Sequence, residues 1–181
     1  MIRHCLRFVA ALGCLVLATG LAAAATTQYT YDDLDRLVKV EYANGTVVDY
    51  TYDDAGNILS VTTTAPAAGS APDGDGVPGT PLTVAREPDG DVTLIWGASC
   101  TATDTDYVIY AGTIGDFASH SRVVCGTGGA TTKTLTPAAG STYYLVVPRN
   151  GSNEGSRGTD GTGAERPEGT TTCLPRLVAG C

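Results

Sequence analysis

The fold is decided by the stretch Tyr29-Thr30-Tyr31-Asp32-Asp33-Leu34-Asp35-Arg36-Leu37, which recurs 21 residues later as Tyr50-Thr51-Tyr52-Asp53-Asp54-Ala55-Gly56-Asn57-Ile58. Aromatic and β-branched residues open each copy and are typical of a strand. The Asp and Gly residues that follow are typical of a turn. Between the copies, Asn44-Gly45 lies among alternating apolar residues and predicts a hairpin, because both residues tolerate positive φ. Residues 26–64 are therefore predicted to form a repeated strand–turn–strand unit.

This unit resembles the YD repeat of the RHS family, whose pattern is roughly Y-x-Y-D-x-x-G-R-L followed by a strand, N-G and a return strand. The matching residues are Tyr31, Asp32, Arg36 and Leu37 in the first copy and Tyr52, Asp53, Gly56 and Asn57 in the second. Asp35 stands where the family has glycine. In that family many units wind into β-spiral shells that enclose a toxin or present a surface, and some have been linked to carbohydrate binding. About one and a half repeats are too few to bury a repeat's apolar face, so the resemblance implies a surface and not a closed shell.

Residues 81–170 carry a second strand-rich pattern. Asp91-Val92-Thr93-Leu94-Ile95-Trp96 alternates and ends in the only tryptophan, and Leu135-Thr136-Pro137 precedes the run Tyr143–Val147. Together with the loop Asn150–Ser156, this order resembles a fibronectin type III domain of a bacterial, disulfide-bearing kind. The resemblance implies an Ig/fibronectin III-like β-sandwich of about seven strands. Residues 65–80, rich in Pro, Gly and Asp, are a linker by composition. The expected fold class is all-β throughout.

The first 25 residues have the pattern of a secretory signal peptide. Arg3 and Arg7 precede an apolar run, which ends in the small residues Ala22–Ala25, and cleavage is expected after Ala25. The run is short for a membrane span, although an uncleaved anchor and a lipidated Cys14 are alternatives. The expected location is therefore secreted or cell envelope, with no membrane association after cleavage.

Four cysteines remain after the expected cleavage: Cys100, Cys125, Cys173 and Cys181. An exported chain meets oxidising conditions, so two disulfides are expected. Sequence leaves three pairings open; the pairing favoured here joins Cys100 to Cys125 and Cys173 to Cys181, the latter within a Cys-containing tail at 171–181. Without C-x-x-C pairs and with few histidines, no zinc or other metal site and no cofactor is expected.

Composition excludes several function classes. The net charge of −8 argues against a nucleic-acid partner, whose phosphates need a clustered basic face.

The candidate catalytic residues have structural explanations. His120 is expected in a loop and not in a hydrolytic triad. Asp32-Asp33 and Asp53-Asp54 are expected to cap turns and not to act as an acid–base pair. Asp73-Gly74-Asp75-Gly76 is either a flexible acidic linker or a calcium loop, and the linker is favoured because only two acids occur there. The stretch Glu154–Glu168 is either a recognition loop or a mobile tail. No catalytic residue is identified, so the chain is not predicted to be an enzyme.

The tyrosines of the repeat are the candidate ligand-binding residues. Alternation places Tyr29 and Tyr31 on one face of a strand, and likewise Tyr50 and Tyr52. These rings either pack in a core, contact the second domain, or form an exposed binding face. The sequence thus predicts an exported, non-enzymatic interaction or adhesion module. The alternative is a carbohydrate-binding module that uses these tyrosines. The partner would be a carbohydrate or another cell-surface protein, and the oligomeric state is left open.

Overall fold

The computed structural model describes residues 26–181, so the predicted signal peptide lies outside the described residues. This range is all-β, as predicted: it holds ten strands in three antiparallel sheets and no helix. The strands are β1 Gln28–Tyr31, β2 Leu37–Glu41, β3 Val47–Tyr52, β4 Ile58–Thr64, β5 Thr83–Arg86, β6 Val92–Ile95, β7 Asp106–Thr113, β8 Ser121–Val124, β9 Thr132–Leu135 and β10 Thr142–Arg149.

The first sheet is a four-stranded antiparallel meander in the order β1-β2-β3-β4. It repeats in structure as it does in sequence. The register shifts where Tyr31 pairs with Leu37, and it shifts again, at the same offset, where Tyr52 pairs with Ile58. A β-bulge of this kind bends a strand and increases its twist, so the two hairpins β1–β2 and β3–β4 have matching shapes.

The Asn44-Gly45 turn corrects one detail of the sequence analysis. The Tyr42 N–H donates to the Thr46 carbonyl at 2.8 Å and the Gly45 N–H donates to the Tyr42 carbonyl at 2.8 Å. The loop therefore has three residues, and only Gly45 has positive φ, at 83°. This is the three-residue hairpin in which glycine occupies the left-handed position. The Asp53 turn closes with the same pair of backbone bonds.

The second body is a sandwich of two three-stranded antiparallel sheets, β5-β6-β9 and β10-β7-β8. Its six strands are one fewer than the number predicted. Leu94 and Trp96 on the first sheet pack against Tyr107, Ile109 and Val146 on the second, and all five are buried. The rings of Trp96 and Tyr107 meet edge to face at 5.4 Å between centroids. In β7, Tyr107 and Ile109 point into this core, and the residues between and after them, Val108 and Tyr110, point to the other face of their sheet.

The chain after β10 forms a third layer. It covers the outer face of β7 and β10, where Val108, Tyr110 and Val147 are fully buried and contact Cys173. Short bridges hold this layer, including Glu154 with Arg176. Residues 150–157 and 173–179 are therefore packed structure and not the mobile tail considered from sequence.

The first half of the predicted linker packs against this third layer. Ala68 is fully buried; its N–H donates to the Leu177 carbonyl at 2.8 Å, and its carbonyl accepts from the Ala179 N–H at 2.7 Å. A Cβ atom at Gly155 would collide with the Gly69 carbonyl. The small residues in this segment allow two backbone segments to pack closely. A flexible linker is also rich in small residues, which is why composition alone predicted a linker here.

The disulfide pairing favoured from sequence is wrong. Cys100 is bonded to Cys181 with Cα atoms 5.8 Å apart, and Cys125 is bonded to Cys173 with Cα atoms 5.6 Å apart. The physical reason is the path of the third layer. Backbone bridges at Arg176 and Val178 keep the end of the chain extended, so Cys173 lies beside the end of β8 and Cys181 reaches the β6–β7 loop.

Candidate interaction surface

The β1–β4 sheet has one apolar face. Tyr29 pairs with Val40, and Val40 pairs with Val48, so these side chains lie in one row on the same side of three strands. Strand alternation adds the remaining candidates to that side. We call the set the tyrosine face: Tyr29, Tyr31, Val40, Val48, Tyr50 and Tyr52. The row Lys39, Asp49 and Thr62 lies on the opposite, polar face.

The tyrosine face is largely uncovered. Tyr29 and Tyr31 are each 58% exposed, whereas Tyr50 and Tyr52 are half-buried and Val40 is buried. The structure therefore brings all four sequence-predicted tyrosines onto one surface, with two open rings at the β1 side. Core packing and contact with the second body, the alternatives raised from sequence, do not account for Tyr29 and Tyr31.

Tyr52 shows how one copy of the repeat docks on the other. Its hydroxyl donates to the Leu37 carbonyl at 2.6 Å, and the Arg36 guanidinium lies over its ring at 4.7 Å. Arg36 is itself held by the Asp32 carboxylate at 2.8 Å and donates to the Asp53 carbonyl at 3.2 Å. The sequence predicted Arg36 only as a residue of the YD motif. Its spacing from the tyrosine of the next copy was the signal that could have predicted this contact.

Of the two acidic pairs predicted to cap turns, the first aspartate of each pair, Asp32 and Asp53, is the one that caps its turn in the structure. Asp32 accepts the N–H groups of Leu34 and Arg36, and Asp53 accepts the N–H and side-chain amide of Asn57. The backbone bond from Arg36 lowers the pKa of Asp32 below its usual value, and the side-chain bond from Asn57 does so for Asp53. Both carboxylates are charged at neutral pH and their oxygens bond to their own turns.

The two edge strands of this sheet lack the features that usually block pairing with a further strand. β1 and β4 lie at the ends of the sheet order, and every residue of both strands is exposed. β4 reads ILSVTTT, with neither a charge nor a proline. Natural edge strands usually carry lysine, proline or a cover that blocks further pairing. The β4 edge therefore presents backbone N–H and C=O groups that a further strand could pair with, and its aliphatic and threonine side chains favour such pairing.

A buried ionic network lies under the third layer, and sequence reasoning missed it. The Tyr110 hydroxyl donates to Glu154 Oε2 at 2.6 Å, and Arg157 Nη2 donates to the same oxygen at 2.7 Å. Glu154 Oε1 accepts the backbone N–H groups of Cys173 and Leu174 at 2.8 and 2.9 Å. Burial, followed by the bond to Glu154, raises the pKa of Tyr110 to about 12. The network attaches the chain end to β7, and its only sequence signal was a Glu and an Arg three residues apart after the last strand.

His120 precedes β8 and is fully buried. Its Nδ1 lies 3.1 Å from the Tyr143 hydroxyl and its Nε2 lies 3.1 Å from the Pro167 carbonyl. Burial lowers the pKa of His120 below its ordinary value of 6.5, so the ring is neutral at pH 7. The two ring nitrogens are occupied by structural contacts.

A groove of about 780 Å³ runs between the predicted linker and the third layer. Asp73, Arg157 and Arg166 are among its lining residues. The Asp73 carboxylate accepts the N–H groups of Asp75 and Val77 at 2.9 Å, which closes a turn. Within residues 26–181 no group of three His, Cys, Asp or Glu side chains is arranged to hold a metal ion. Nor does that range contain a helix of the length and hydropathy needed to cross a membrane.

Comparison with known proteins identifies the first sheet. A family model described as RHS Repeat matches residues 31–70, which begins at Tyr31 and runs through β2, β3 and β4 to the buried Ala68–Gly69 segment. Comparisons with curated proteins and with solved structures gave no match. The chain therefore contains an RHS repeat, in agreement with the resemblance drawn from the two YD motifs.

Proposed function

We propose that this chain is an exported, non-enzymatic interaction or adhesion module whose tyrosine face makes the contact. The RHS repeat match supports a repeat-type interaction protein. The single observation that carries the proposal is the apolar face with Tyr29 and Tyr31 each 58% exposed. An apolar patch of this kind on a monomer usually marks an interaction site.

The proposed contact has a favourable energetic basis. Tyrosine combines a large apolar ring with few rotatable bonds, so it contributes area at low entropic cost. The half-buried Tyr50 and Tyr52 fix the neighbouring surface, because Tyr52 is held by Leu37 and Arg36. A partner therefore meets two open rings beside a surface that these contacts hold in place.

The second body is a disulfide-bonded scaffold for the repeat. We assign it to the fibronectin III-like class, and the strand order supports that assignment: its first, second and fifth strands form one sheet, and its third, fourth and sixth strands form the other. Both of its cysteine pairs are oxidised. Disulfides persist in exported proteins and are rare in the cytosol, which supports the proposed export to the cell envelope or the medium.

Carbohydrate binding is the second candidate function. It is favoured by the same two open rings, because a flat aromatic face can stack on the apolar face of a sugar ring. The two candidates share a surface and differ in the chemistry of the partner. A test must therefore vary the partner as well as the tyrosines.

The experiment compares the wild-type chain with a Tyr29→Ala/Tyr31→Ala variant and with a Thr30→Ala/Thr62→Ala control on the opposite face. Labelled chain is applied to whole cells of the producing organism, with and without glycosidase or protease treatment, and to a glycan array. Loss of cell binding in the tyrosine variant alone, together with sensitivity to protease, supports a protein partner. Tyrosine-dependent binding to the glycan array supports carbohydrate binding. Equal binding by the wild-type chain and the two variants overturns the role of the tyrosine face.

A further inference from the structure

The two copies of the repeat contact each other through β2 and β3. Inside the chain, β2 pairs with β3 through Lys39 with Asp49 and Val40 with Val48. Tyr52 then donates to the Leu37 carbonyl and lies under Arg36. This interface joins the late strand of one copy to the early strand of the next.

The two free edges of the sheet carry the equivalent positions of this interface at an offset of 21 residues, and the tyrosine is kept. At the β4 edge, Ile58 takes the place of Leu37 and Asn57 takes the place of Arg36. At the β1 edge, Tyr31 takes the place of Tyr52, but its ring is 58% exposed. The molecule therefore has one donor edge and one acceptor edge of an interface that it already makes once internally.

We propose that a second copy of this chain adds head to tail, its β1 pairing antiparallel with β4 of the first copy. Shifting the internal register by the repeat length places Ser60 opposite Gln28 of the second copy and Val61 opposite its Thr27. The Tyr31 hydroxyl of the second copy then donates to the Ile58 carbonyl. This inference rests on the proposed function, since it names the partner of the sheet as a copy of the same chain.

The unprotected sequence of β4 favours this addition. Its residues combine high β-propensity with no charge and no proline, which is the composition that pairs readily at an edge. Because each copy offers one β4 edge and one β1 edge, the contact is heterologous and open-ended. Short chains of copies, growing with concentration, are the expected assemblies.

Two charge variants test the register directly by sedimentation velocity over a concentration series. Gln28→Asp with Ser60→Lys reproduces the Lys39–Asp49 pair across the new interface, so association should tighten by about two- to five-fold. Gln28→Lys with Ser60→Lys places like charges opposite each other and should weaken it by a similar factor. An Ala138→Lys/Ala139→Lys variant, on the exposed β9–β10 loop, controls for added charge.

The outcomes separate this inference from its rivals. In a β4-to-β4 dimer, Ser60→Lys would face its own copy, so both edge variants would weaken association and the head-to-tail register would be wrong. A wild-type chain that stays monomeric at every concentration overturns self-association altogether. If the like-charge variant loses association but still binds cells through Tyr29 and Tyr31, the proposed function stands on its own.

A gain-of-function variant adds an independent check. Asn57→Arg restores at the β4 edge the arginine that covers Tyr52 inside the chain, with Asp53 placed to hold it as Asp32 holds Arg36. A cation over an exposed ring tightens a contact by roughly two- to five-fold. The same substitution combined with Tyr31→Ala should give no tightening, and equal tightening in both backgrounds would overturn the proposed pairing.

Discussion

Asp35 and Gly56 occupy the same position in the two copies of the repeat, and both have positive φ, at 58° and 88°. Asp35 is the one non-glycine residue with positive φ among residues 26–181. A side chain at Cβ makes this conformation costly, although aspartate tolerates it better than most residues. The first turn is therefore closed at a cost that the second turn avoids.

Asp35→Gly should raise the free energy of opening the β1–β2 hairpin by about 0.5 to 1 kcal/mol. The measurement is native-state hydrogen exchange of the β2 amides. The matched control is Gly56→Asp, which should lower the protection of β3 and β4 by a similar amount. A loss of protection in the Asp35→Gly variant would show that the aspartate side chain supports this turn.

His120 gives the protein a pH dependence of stability that can be assigned to one residue. Burial lowers its pKa in the folded state below 6.5, so the folded chain binds fewer protons than the unfolded chain. The free energy of unfolding should therefore fall as the pH is lowered through 6.5 toward the folded pKa. His120→Gln should remove the slope between pH 7 and pH 5, measured by urea unfolding with Trp96 fluorescence. A slope that persists in the variant would assign the effect to another group.

At the scale of elements, the attachment of the third layer to β7 depends on one buried carboxylate. Glu154 accepts the Tyr110 hydroxyl, the Arg157 guanidinium and two backbone N–H groups of the chain end. Glu154 and Arg157 have fully buried side chains. Breaking such a pair is expensive because the remaining charge stays buried without its partner.

Glu154→Gln should lower the free energy of unfolding by about 3 kcal/mol or more. The control is Glu168→Gln, which removes a more exposed contact with Arg176 at 3.7 Å and should cost less than about 1 kcal/mol. Both variants are compared by urea unfolding, and hydrogen exchange should rise at residues 173–177 in the first alone. Similar losses in the two variants would mean that the buried network does not hold this layer.

Local signals predicted the elements that local residues determine. The two YD motifs, their caps at Asp32 and Asp53 and the common face of Tyr29 and Tyr31 all follow from spacing within a hairpin. The third layer does not, because Glu154 meets Cys173 and Leu174 through a chain path that no sequence period describes. The same non-local path explains why the favoured disulfide pairing was wrong. Ala68 was assigned to a linker because small residues suit both mobile chain and close packing.

At the scale of the whole molecule, two disulfides join the sandwich to the chain end, across separations of 81 and 48 residues. Cleavage at Arg122, Arg149 and Arg176 places the four cysteines on different tryptic peptides. A non-reducing tryptic map should therefore show Cys100 linked to Cys181 and Cys125 linked to Cys173. A peptide that links Cys100 to Cys125 would contradict the structure.

Cys125→Ser with Cys173→Ser should lower the free energy of unfolding by about 4 kcal/mol in the chain-entropy account of loop closure. The tyrosine face lies outside the second body, so cell binding by a folded variant should be unchanged at low temperature. Thermal unfolding followed by Trp96 fluorescence measures the first effect. An unchanged midpoint would indicate that the third layer is held without this covalent link.

The nested order of these bonds, with Cys125–Cys173 inside Cys100–Cys181, has a consequence for the resistance of the protein to proteases. The exposed stretch 159–165 lies between Cys125 and Cys173, so a protease that clips it frees no fragment. A clipped molecule would migrate as one band without reductant and as two bands with it. It would keep its buried ion pair, because Glu154 and Arg157 remain on one side of the cut. Cleavage in this stretch would therefore leave the two fragments folded together.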